Sequence, residues 1–190
     1  MERTYIQDKK FEKEDFTTNE FPIADYENCV FTNCDFSNTD LSQRVFLECE
    51  FNCCNLSTAN LTKTGLKNAK FKDCKLLGLH FENCDPFLFE VVFDNCFLKL
   101  SSFYKLKLKK TRFKNSNLSE VDFTEADLTN SLFHNCDLGG ARFERTILEK
   151  ADLRTSRNYS IDPEINKIKK TKFSIHGIAG LLDKYDIEIE

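Results

Sequence analysis

Between Ser116 and Arg145 the sequence reads SNLSE-VDFTE-ADLTN-SLFHN-CDLGG-ARFER. Every fifth residue of this stretch is large and apolar, and Leu and Phe alternate from Leu118 to Phe143. One series of such apolar centres runs from Ile6 to Phe81, and a second series, shifted by two residues, runs from Leu88 to Leu153. Because a repeat of fixed period sets the architecture of a chain, it is interpreted before any single helix or strand.

The period of five fits neither the 3.6-residue period of an amphipathic helix nor the strict alternation of a long strand. The residue two before each centre explains the period, because after about residue 24 it is nearly always small or apolar. Two inward residues separated by one outward residue make a very short strand. The other two residues, often Asn, Asp, Ser or Lys, form a corner. The pattern therefore predicts a β-solenoid with a narrow core.

The number of sides in each coil follows from the order of Phe and Leu. A three-sided coil of three pentapeptides would stack each Phe on a Leu, whereas a four-sided coil of four pentapeptides stacks like on like. Residues of one kind recur at the four-pentapeptide spacing in the rows Phe93, Phe113, Phe133 and Cys34, Cys54, Cys74. Four sides are therefore favoured, and seven to eight coils at ~4.8 Å each predict a rod of roughly 35 Å.

Two units, Ala59–Lys63 (ANLTK) and Ala126–Asn130 (ADLTN), match the A(D/N)LXX signature of the pentapeptide-repeat family. The chain resembles this family from residue 6 to residue 153. The resemblance implies an all-β fold, a right-handed quadrilateral β-helix. We therefore expect a repeat domain at 1–158, with a slip or bulge near 82–87, and a C-terminal segment at 159–190.

The C-terminal segment departs from the repeat. After Leu153 the period stops, and Ile168 and Phe173 resume it as a last half coil. Ser174 is a plausible N-cap for a short helix that covers the open end of the solenoid. Ile187 and Ile189 alternate with acidic residues, as in an edge strand.

Residues 162–168 resemble the corresponding part of the microcin B17 immunity branch of the family. Members of the quinolone-resistance branch end in a similar helix and apolar tail and dimerise through them. The resemblance implies a homodimer. The general frequency of closed dimers among oligomers favours the same arrangement. The expected dimerisation residues are Ile175, Ile178, Leu181, Leu182, Ile187 and Ile189.

The nine cysteines predict packing rather than chemistry. Cys53 falls at a corner, and the other eight keep the register of the small buried slot, where a thiol behaves as a compact hydrophobe. Seven of them lie two before a centre, and Cys84 lies two before Pro86, where the first series would have its next centre. No paired CxxC clusters of the kind that bind zinc are present in the sequence.

So many free thiols indicate a reducing compartment. Since we find no apolar run of membrane-spanning length and no secretory leader, we expect a cytoplasmic protein that does not enter a membrane.

Catalysis needs convergent groups in a concave site, and an interior filled by Phe, Leu and Cys leaves no room for one. His80, His134 and His176 have no Ser, Cys or carboxylate partner at a repeated spacing. The chain also lacks nucleotide-binding, zincin and hydrolase motifs. We expect no enzyme, no metal, no cofactor and no small-molecule substrate.

The net charge of −4 conceals blocks of opposite sign along the rod. Residues 1–60 carry a net charge of −7, residues 61–118 of +7, residues 119–153 of −5 and residues 154–190 of +1. The basic run from Lys105 to Lys114 wraps around the rod in the repeat frame. This geometry favours a solvated girdle over a nucleic-acid site, with weak nucleic-acid binding as the alternative.

Some pentapeptide-repeat proteins imitate duplex DNA, bind DNA gyrase or topoisomerase IV, and protect it from quinolones or peptide toxins. The resemblance implies such a role here, although the chain lacks the long loops of drug-protecting members and has a basic waist. The alternative is a protein-interaction scaffold with another partner. The candidate partner-binding residues are Asp15, Glu20, Asp35, Asp40, Asp122, Glu125 and Asp127.

Overall fold

A computed structural model describes residues 4–188. The chain forms a right-handed, four-sided β-helix of about seven turns, which confirms the expected fold class. One parallel sheet contains β1 (Thr4–Gln7), β3 (Ala24–Glu27), β5 (Val45–Leu47) and β7 (Gly65–Lys67). A second parallel sheet contains β2 (Lys10–Glu12), β4 (Val30–Thr32), β6 (Glu50–Asn52), β8 (Ala69–Lys72), β9 (Val91–Asp94), β10 (Arg112–Lys114) and β11 (Leu132–His134).

The four sides of the rod are numbered in chain order. Face 1 is the four-stranded sheet, continued by bridges from Lys107 to Lys167, and face 2 is the seven-stranded sheet, continued to Lys172. Faces 3 and 4 are held by isolated parallel bridges. The row on face 3 runs from Asp15 to Arg157, and the row on face 4 runs from Asp40 to Arg142.

Each coil contains four pentapeptides, one for each face, so equivalent side chains stack on one another. On face 2, Phe31 pairs with Phe11 and with Phe51, and each pair of ring centroids is 4.8 Å apart. On face 4, the rings of Phe81 and Phe103 stack at 4.6 Å. These like-on-like stacks exclude the three-sided coil.

The two phenylalanine stacks also meet across the interior. The rings of Phe113 on face 2 and Phe123 on face 4 are 5.9 Å apart and inclined at 81°. Such an edge-to-face contact is a favoured geometry for aromatic pairs. The centres of faces 1 and 3 in the second half of the rod are Leu residues, which fill the space that the rings leave. The core is therefore continuous along the rod and only a few side chains wide.

The corners place one residue of most pentapeptides in the left-handed region, two positions after the centre. Asn occupies many of these corners, for example Asn33 with a φ of 54°, because Asn tolerates this region better than most residues. Thr58, with a φ of 57°, is β-branched and is held there as its hydroxyl donates to Oδ1 of Asn38 at 2.6 Å. The polar corners of the sequence thus follow from backbone conformation.

The slip shifts the pairing register within one coil. Gly65 pairs with Asp85 at the usual offset of four pentapeptides, whereas the offset from Ala69 to its partner Val91 is longer by two, so the extra residues lie on face 1. The sequence interpretation placed Leu88 in the core, and this is wrong. Leu88 has a φ of 58° and is 64% exposed, and Phe89 packs on the core in its place. The two-residue insertion thus turns the side chains of Phe87 and Leu88 toward solvent.

The ladder resumes beyond residue 158, the expected end of the repeat domain, in the half coil that Ile168 and Phe173 predict. Ile147 pairs with Lys167 and Asp152 with Lys172, so this boundary falls inside the last coil. Short 3-10 helices follow at Ile175–Leu181 and Asp183–Tyr185. Within residues 4–188, no helix combines the length and the hydrophobicity that crossing a membrane requires.

The first of these helices is fixed at its start and against the last coil. Oγ of Ser174 accepts a hydrogen bond from the N–H of Gly177 at 3.1 Å, which confirms the N-cap. Gly177 and Gly180 lie against Tyr159 so closely that neither position has room for a Cβ. The N–H of Ile161 donates to the carbonyl of Gly180 at 2.8 Å. Glycine lowers helix propensity, but the close contact with Tyr159 requires it at both positions.

The second 3-10 helix is held by ion pairs to the loop before the last strand pairing. Nζ of Lys184 lies 2.8 Å from Asp162 and 2.6 Å from Glu164. Residues 186–188 form no strand, so the edge strand expected around Ile187 is wrong for this part, and Ile189 lies outside the described residues.

Eight cysteines are buried, Cys53 is exposed, and all nine are free, which confirms the packing interpretation. The Sγ atoms of Cys54 and Cys74 lie 3.4 and 3.3 Å from the carbonyls of Phe31 and Phe51 in the preceding coil. Thr64 places a hydroxyl in the equivalent slot, 2.8 Å from the carbonyl of Leu41. Burial raises the pKa of Cys49 to about 12. The thiols in the slot are therefore donors and packing groups, not nucleophiles.

We expect Cys74→Ser to cost about 1 kcal/mol or less of unfolding free energy, because a hydroxyl can donate to the same carbonyl. Cys74→Leu should cost about 1–3 kcal/mol, because Leu brings extra carbon atoms and no donor to a buried position beside the Phe51 carbonyl. Urea unfolding followed by circular dichroism measures both. Equal midpoints for the Leu variant and the unaltered chain would show that the slot is not close-packed.

Candidate protein-binding surface

The candidate acidic residues form two clusters, which the rod keeps apart. The N-terminal cluster lies on faces 3 and 4 of the first two coils and contains Asp15, Glu20, Asp35 and Asp40. The distal cluster spans face 4, the next corner and face 1, and contains Asp122, Glu125 and Asp127. About four coils of ~4.8 Å separate the clusters along the axis, roughly 20 Å.

Most of these carboxylates also hold a turn. Oδ1 of Asp15 accepts from the N–H of Thr17 at 2.9 Å, and Oδ1 of Asp35 accepts from the N–H of Ser37 at 2.8 Å. Asn60 makes the same contact with Thr62 at 3.1 Å. This is the Asx-turn, in which a short polar side chain caps the backbone two residues on. The Asp or Asn of each repeat unit therefore has a structural role that the sequence analysis missed.

The two clusters differ in how far their charge is compensated. In the distal cluster, Glu125 lies 2.9 Å from Arg145 and 3.6 Å from Lys105, and Asp127 lies 3.2 Å from Lys109.

In the N-terminal cluster, by contrast, neither Asp15 nor Asp35 has a cation within ion-pair distance among residues 4–188, although they occupy neighbouring rungs of one row. Like charges on neighbouring rungs repel. The N-terminal cluster is therefore the more strongly negative surface.

Arg44 lies beneath the N-terminal cluster and shapes it. It lies two before the centre Phe46, where later repeats have small or apolar residues, and it is buried. Its Nε donates to the carbonyl of Pro22 at 3.1 Å, its Nη1 donates to the carbonyl of Ser42 at 3.1 Å, and its Nη2 donates to the carbonyl of Phe21. Desolvation lowers the pKa of Arg44. The guanidinium thus fixes the irregular end of the first coil.

A groove of about 630 Å³ opens beside Arg44, and Glu20 and Asp40 line it. The groove adds a concave feature to the N-terminal cluster. Sequence reasoning did not single out Arg44. The available signal was a long charged residue in a position that, from residue 24 onward, otherwise holds small or apolar residues.

The basic run wraps around the rod, as its register indicates. Lys107 lies on face 1 and Arg112 and Lys114 on face 2. Lys114 lies 2.9 Å from Asp94, and Lys105 and Lys109 pair with the distal acidic cluster. Much of this run is thus neutralised on the surface itself.

Within the described part of the chain, no three His, Cys, Asp or Glu side chains are placed to hold a metal ion. The surface offers charge, turns and shape. These properties suit recognition of a macromolecule.

The family model for pentapeptide repeats in eight copies matches residues 49–85, and the model for a pentapeptide repeat region matches residues 87–158. A comparison with curated protein sequences gives no match.

Among solved structures, full-length QnrB1, a plasmid-mediated fluoroquinolone resistance protein, matches with a TM-score of 0.58 and 18% identity, covering 96% of this chain and 100% of QnrB1. HetL, a pentapeptide-repeat protein involved in heterocyst differentiation regulation in the cyanobacterium Nostoc sp. strain PCC 7120, matches with a TM-score of 0.58 and 17% identity. That match covers 90% of this chain and 86% of HetL. At these identities the likeness shows the fold.

The turn-capping carboxylates predict a loss of stability in acid. Hydrogen bonds from Thr17 hold the pKa of Asp15 below its usual range, and those from Ser42 do the same for Asp40. A carboxyl group whose pKa is lower in the folded state stabilises the fold above its unfolded pKa, near 3.9, and this contribution is lost as the pH falls through the folded value.

We therefore expect the unfolding free energy to fall below about pH 4, and to fall less steeply in an Asp15→Asn/Asp40→Asn variant. Urea unfolding at pH 7 and pH 3 provides the measurement. Glu90→Gln is the control, since Glu90 is exposed and only its backbone forms hydrogen bonds among residues 4–188. A double variant as acid-sensitive as the unaltered chain would contradict the assignment.

Proposed function

The chain belongs to the pentapeptide-repeat family, and from this premise we propose that it is a non-enzymatic protein that binds DNA gyrase or topoisomerase IV as a DNA mimic. Such binding would confer resistance or immunity to agents that target gyrase. The observation that carries the proposal is the N-terminal cluster, in which Asp15 and Asp35 have no ion-pair partner among residues 4–188. It lies on a rod with the fold of QnrB1, itself named as a fluoroquinolone resistance protein.

Two aligned acidic rungs give the N-terminal cluster the sign of charge that a phosphate backbone carries. Asp15 and Asp35 occupy neighbouring rungs on face 3, about 4.8 Å apart along the rod. Duplex DNA carries one negative charge per ≈1.7 Å of its axis, so the protein surface is less dense in charge than DNA. Complementary charge of this kind increases the association rate and selects partners.

The ion pairs separate the candidate contact residues into carboxylates that already have a cation partner and carboxylates that have none in the described part of the chain. Glu125 and Asp127 are held by Arg145 and Lys109 and would have to give up these pairs to engage a partner. Asp122 caps the N–H of Thr124 at 2.8 Å and has no such ion pair within residues 4–188. We assign the main contact to the N-terminal cluster and a lesser one to Asp122.

The nine free thiols support a reducing location such as the cytoplasm. None of the nine is in a disulfide, and Cys53 has no second exposed cysteine in the chain to pair with. The fold therefore does not depend on oxidation.

We also propose that two copies associate through the C-terminal segment. Ile175 is 81% exposed and Ile187 is 56% exposed, and Ile178 is partly exposed beside them. Leu181 instead packs against the core of its own chain, and Leu182 is half-buried, so both belong mainly to the cap. Exposed apolar side chains at one end of a rod suit a two-fold contact that buries the same patch on both copies.

A gyrase supercoiling assay tests the partner. Asp→Asn substitution removes charge and keeps the turn cap, since Asn55 caps Ser57 in the same row as Asp35. We expect the unaltered chain to change supercoiling in the presence of a quinolone or a gyrase-targeting peptide toxin. An Asp15→Asn/Asp35→Asn/Asp40→Asn variant should need about ten-fold more protein for the same effect, because complementary charge guides association.

Asp94→Asn is the matched control for this assay, because Asp94 lies on face 2, away from the N-terminal cluster. It should behave like the unaltered chain. No effect of the unaltered chain on supercoiling or on drug or toxin sensitivity would refute the gyrase proposal. A protein-interaction scaffold with another partner would then be the better function.

Sedimentation velocity tests the dimer. The unaltered chain should sediment as a dimer and an Ile175→Glu/Ile178→Glu variant as a monomer, because paired carboxylates would be buried without partners. Leu132→Glu, at an exposed position on face 2, is the control and should stay dimeric. A monomeric unaltered chain at micromolar concentration would argue against this interface.

A further inference from the structure

A second groove lies on the other side of the rod, at the corner between faces 1 and 2. It measures about 620 Å³ and is lined by apolar side chains, among them Phe89 and Val92, and by basic ones, among them Lys107, Lys110 and Arg112. It contains none of the candidate acidic residues. Its properties are therefore independent of the proposed function.

The groove coincides with a break in the backbone ladder at the slip. On face 1 the N–H of Asp127 donates to Leu106 at 2.9 Å, and the N–H of Asp85 donates to Thr64 at 2.9 Å. No equivalent backbone bond joins Lys107 to the coil before it among residues 4–188. The two extra residues carry Phe87 and Leu88 outward, so face 1 is not continuous here. The insertion thus opens a gap between coils.

The charge of the groove is only partly compensated. Lys70 lies 2.9 Å from Glu50, and Lys109 pairs with Asp127. Lys107, Lys110 and Arg112 have no carboxylate within ion-pair distance in the described residues. Three uncompensated cations therefore face one lining carboxylate, that of Glu90.

The floor of the groove is apolar. Val91 is buried, and Phe89 and Val92 are half-buried, so part of each side chain remains accessible. Phe87, beside the groove, is 65% exposed, and Nζ of Lys67 lies 5.2 Å from its ring centroid. Apolar surface rimmed by charge is typical of sites that bind proteins.

We propose that this groove binds an extended acidic segment of a partner protein. Its carboxylates pair with Lys107, Lys110 and Arg112, and an apolar side chain of the segment packs on Phe89 and Val92. Charge complementarity and the apolar floor together select this occupant.

The arrangement of cations disfavours nucleic acid as the occupant. The three free cations belong to one coil, and the next rung on each face holds Asp127 on face 1 and Leu132 on face 2. A phosphate backbone presents charge at regular short intervals and pairs best with a continuous row of cations. A compact cluster fits a short acidic segment better.

Fluorescence anisotropy at low salt tests the proposal with the full chain. The probe is a labelled twelve-residue peptide of three Glu-Ile-Asp-Leu repeats. Its comparisons are the same peptide with Gln and Asn for the acids, the same peptide with Ser for Ile and Leu, and a single-stranded oligodeoxynucleotide of twelve bases. We expect binding of the acidic apolar peptide, and binding about ten-fold weaker or worse for each of the other three probes.

Lys107→Glu/Arg112→Glu should weaken binding of the acidic apolar peptide by about ten-fold or more. The control Lys167→Glu/Lys169→Glu reverses two exposed charges on face 1 in another coil and should leave binding unchanged. Circular dichroism establishes that both variants fold.

The proposal is overturned if the acidic apolar peptide does not bind, or if the two double variants weaken it equally. It is also overturned if the Ser peptide binds as well as the apolar one, or if the oligonucleotide binds more tightly. None of these results depends on gyrase, so this proposal and the proposed function can fail separately.

Discussion

The structure depends on one constraint, the stacking of each inward side chain on its own equivalent in the neighbouring coil. The Phe31 ring lies 4.8 Å from the rings of both Phe11 and Phe51, which is the spacing of hydrogen-bonded strands. Stacked rings and paired backbones therefore repeat with the same rise, and neither strains the other. The corners must then turn within two residues, which explains why so many of them adopt the left-handed region.

The same constraint arranges the surface, because outward residues also recur once in every coil and form rows. A row that holds Asp, such as Asp15 and Asp35, becomes a strip of negative charge, and the carboxylates also cap the turns beneath them. Residues of opposite sign on successive rungs of one row neutralise one another, as Glu125 and Arg145 do. Binding surfaces therefore remain where a row is uncompensated, as in the N-terminal cluster, or where the row is broken, as at the slip.

Much of the fold could be predicted from the sequence because the signal is repeated some thirty times and each copy is local. The predictions failed where a single residue departs from the repeat. Leu88 keeps the apolar period yet is exposed, since an insertion shifts the frame before Phe89 and the period does not show where the frame recovers. Arg44 looks like an ordinary surface charge, but two of its carbonyl partners, those of Pro22 and Phe21, belong to the preceding coil.

The sequence by itself determined the solenoid, the four sides, most of the core residues and the burial of eight cysteines, because these follow from a short period and from hydrophobicity. Only the tertiary structure decided which charges remain free. Asp127 and Asp35 occupy the same position in the repeat unit, yet Asp127 meets Lys109 and Asp35 meets no cation among the described residues. The difference arises between coils. The strength of a charged surface depends on neighbours that are close in space and a whole coil apart along the chain.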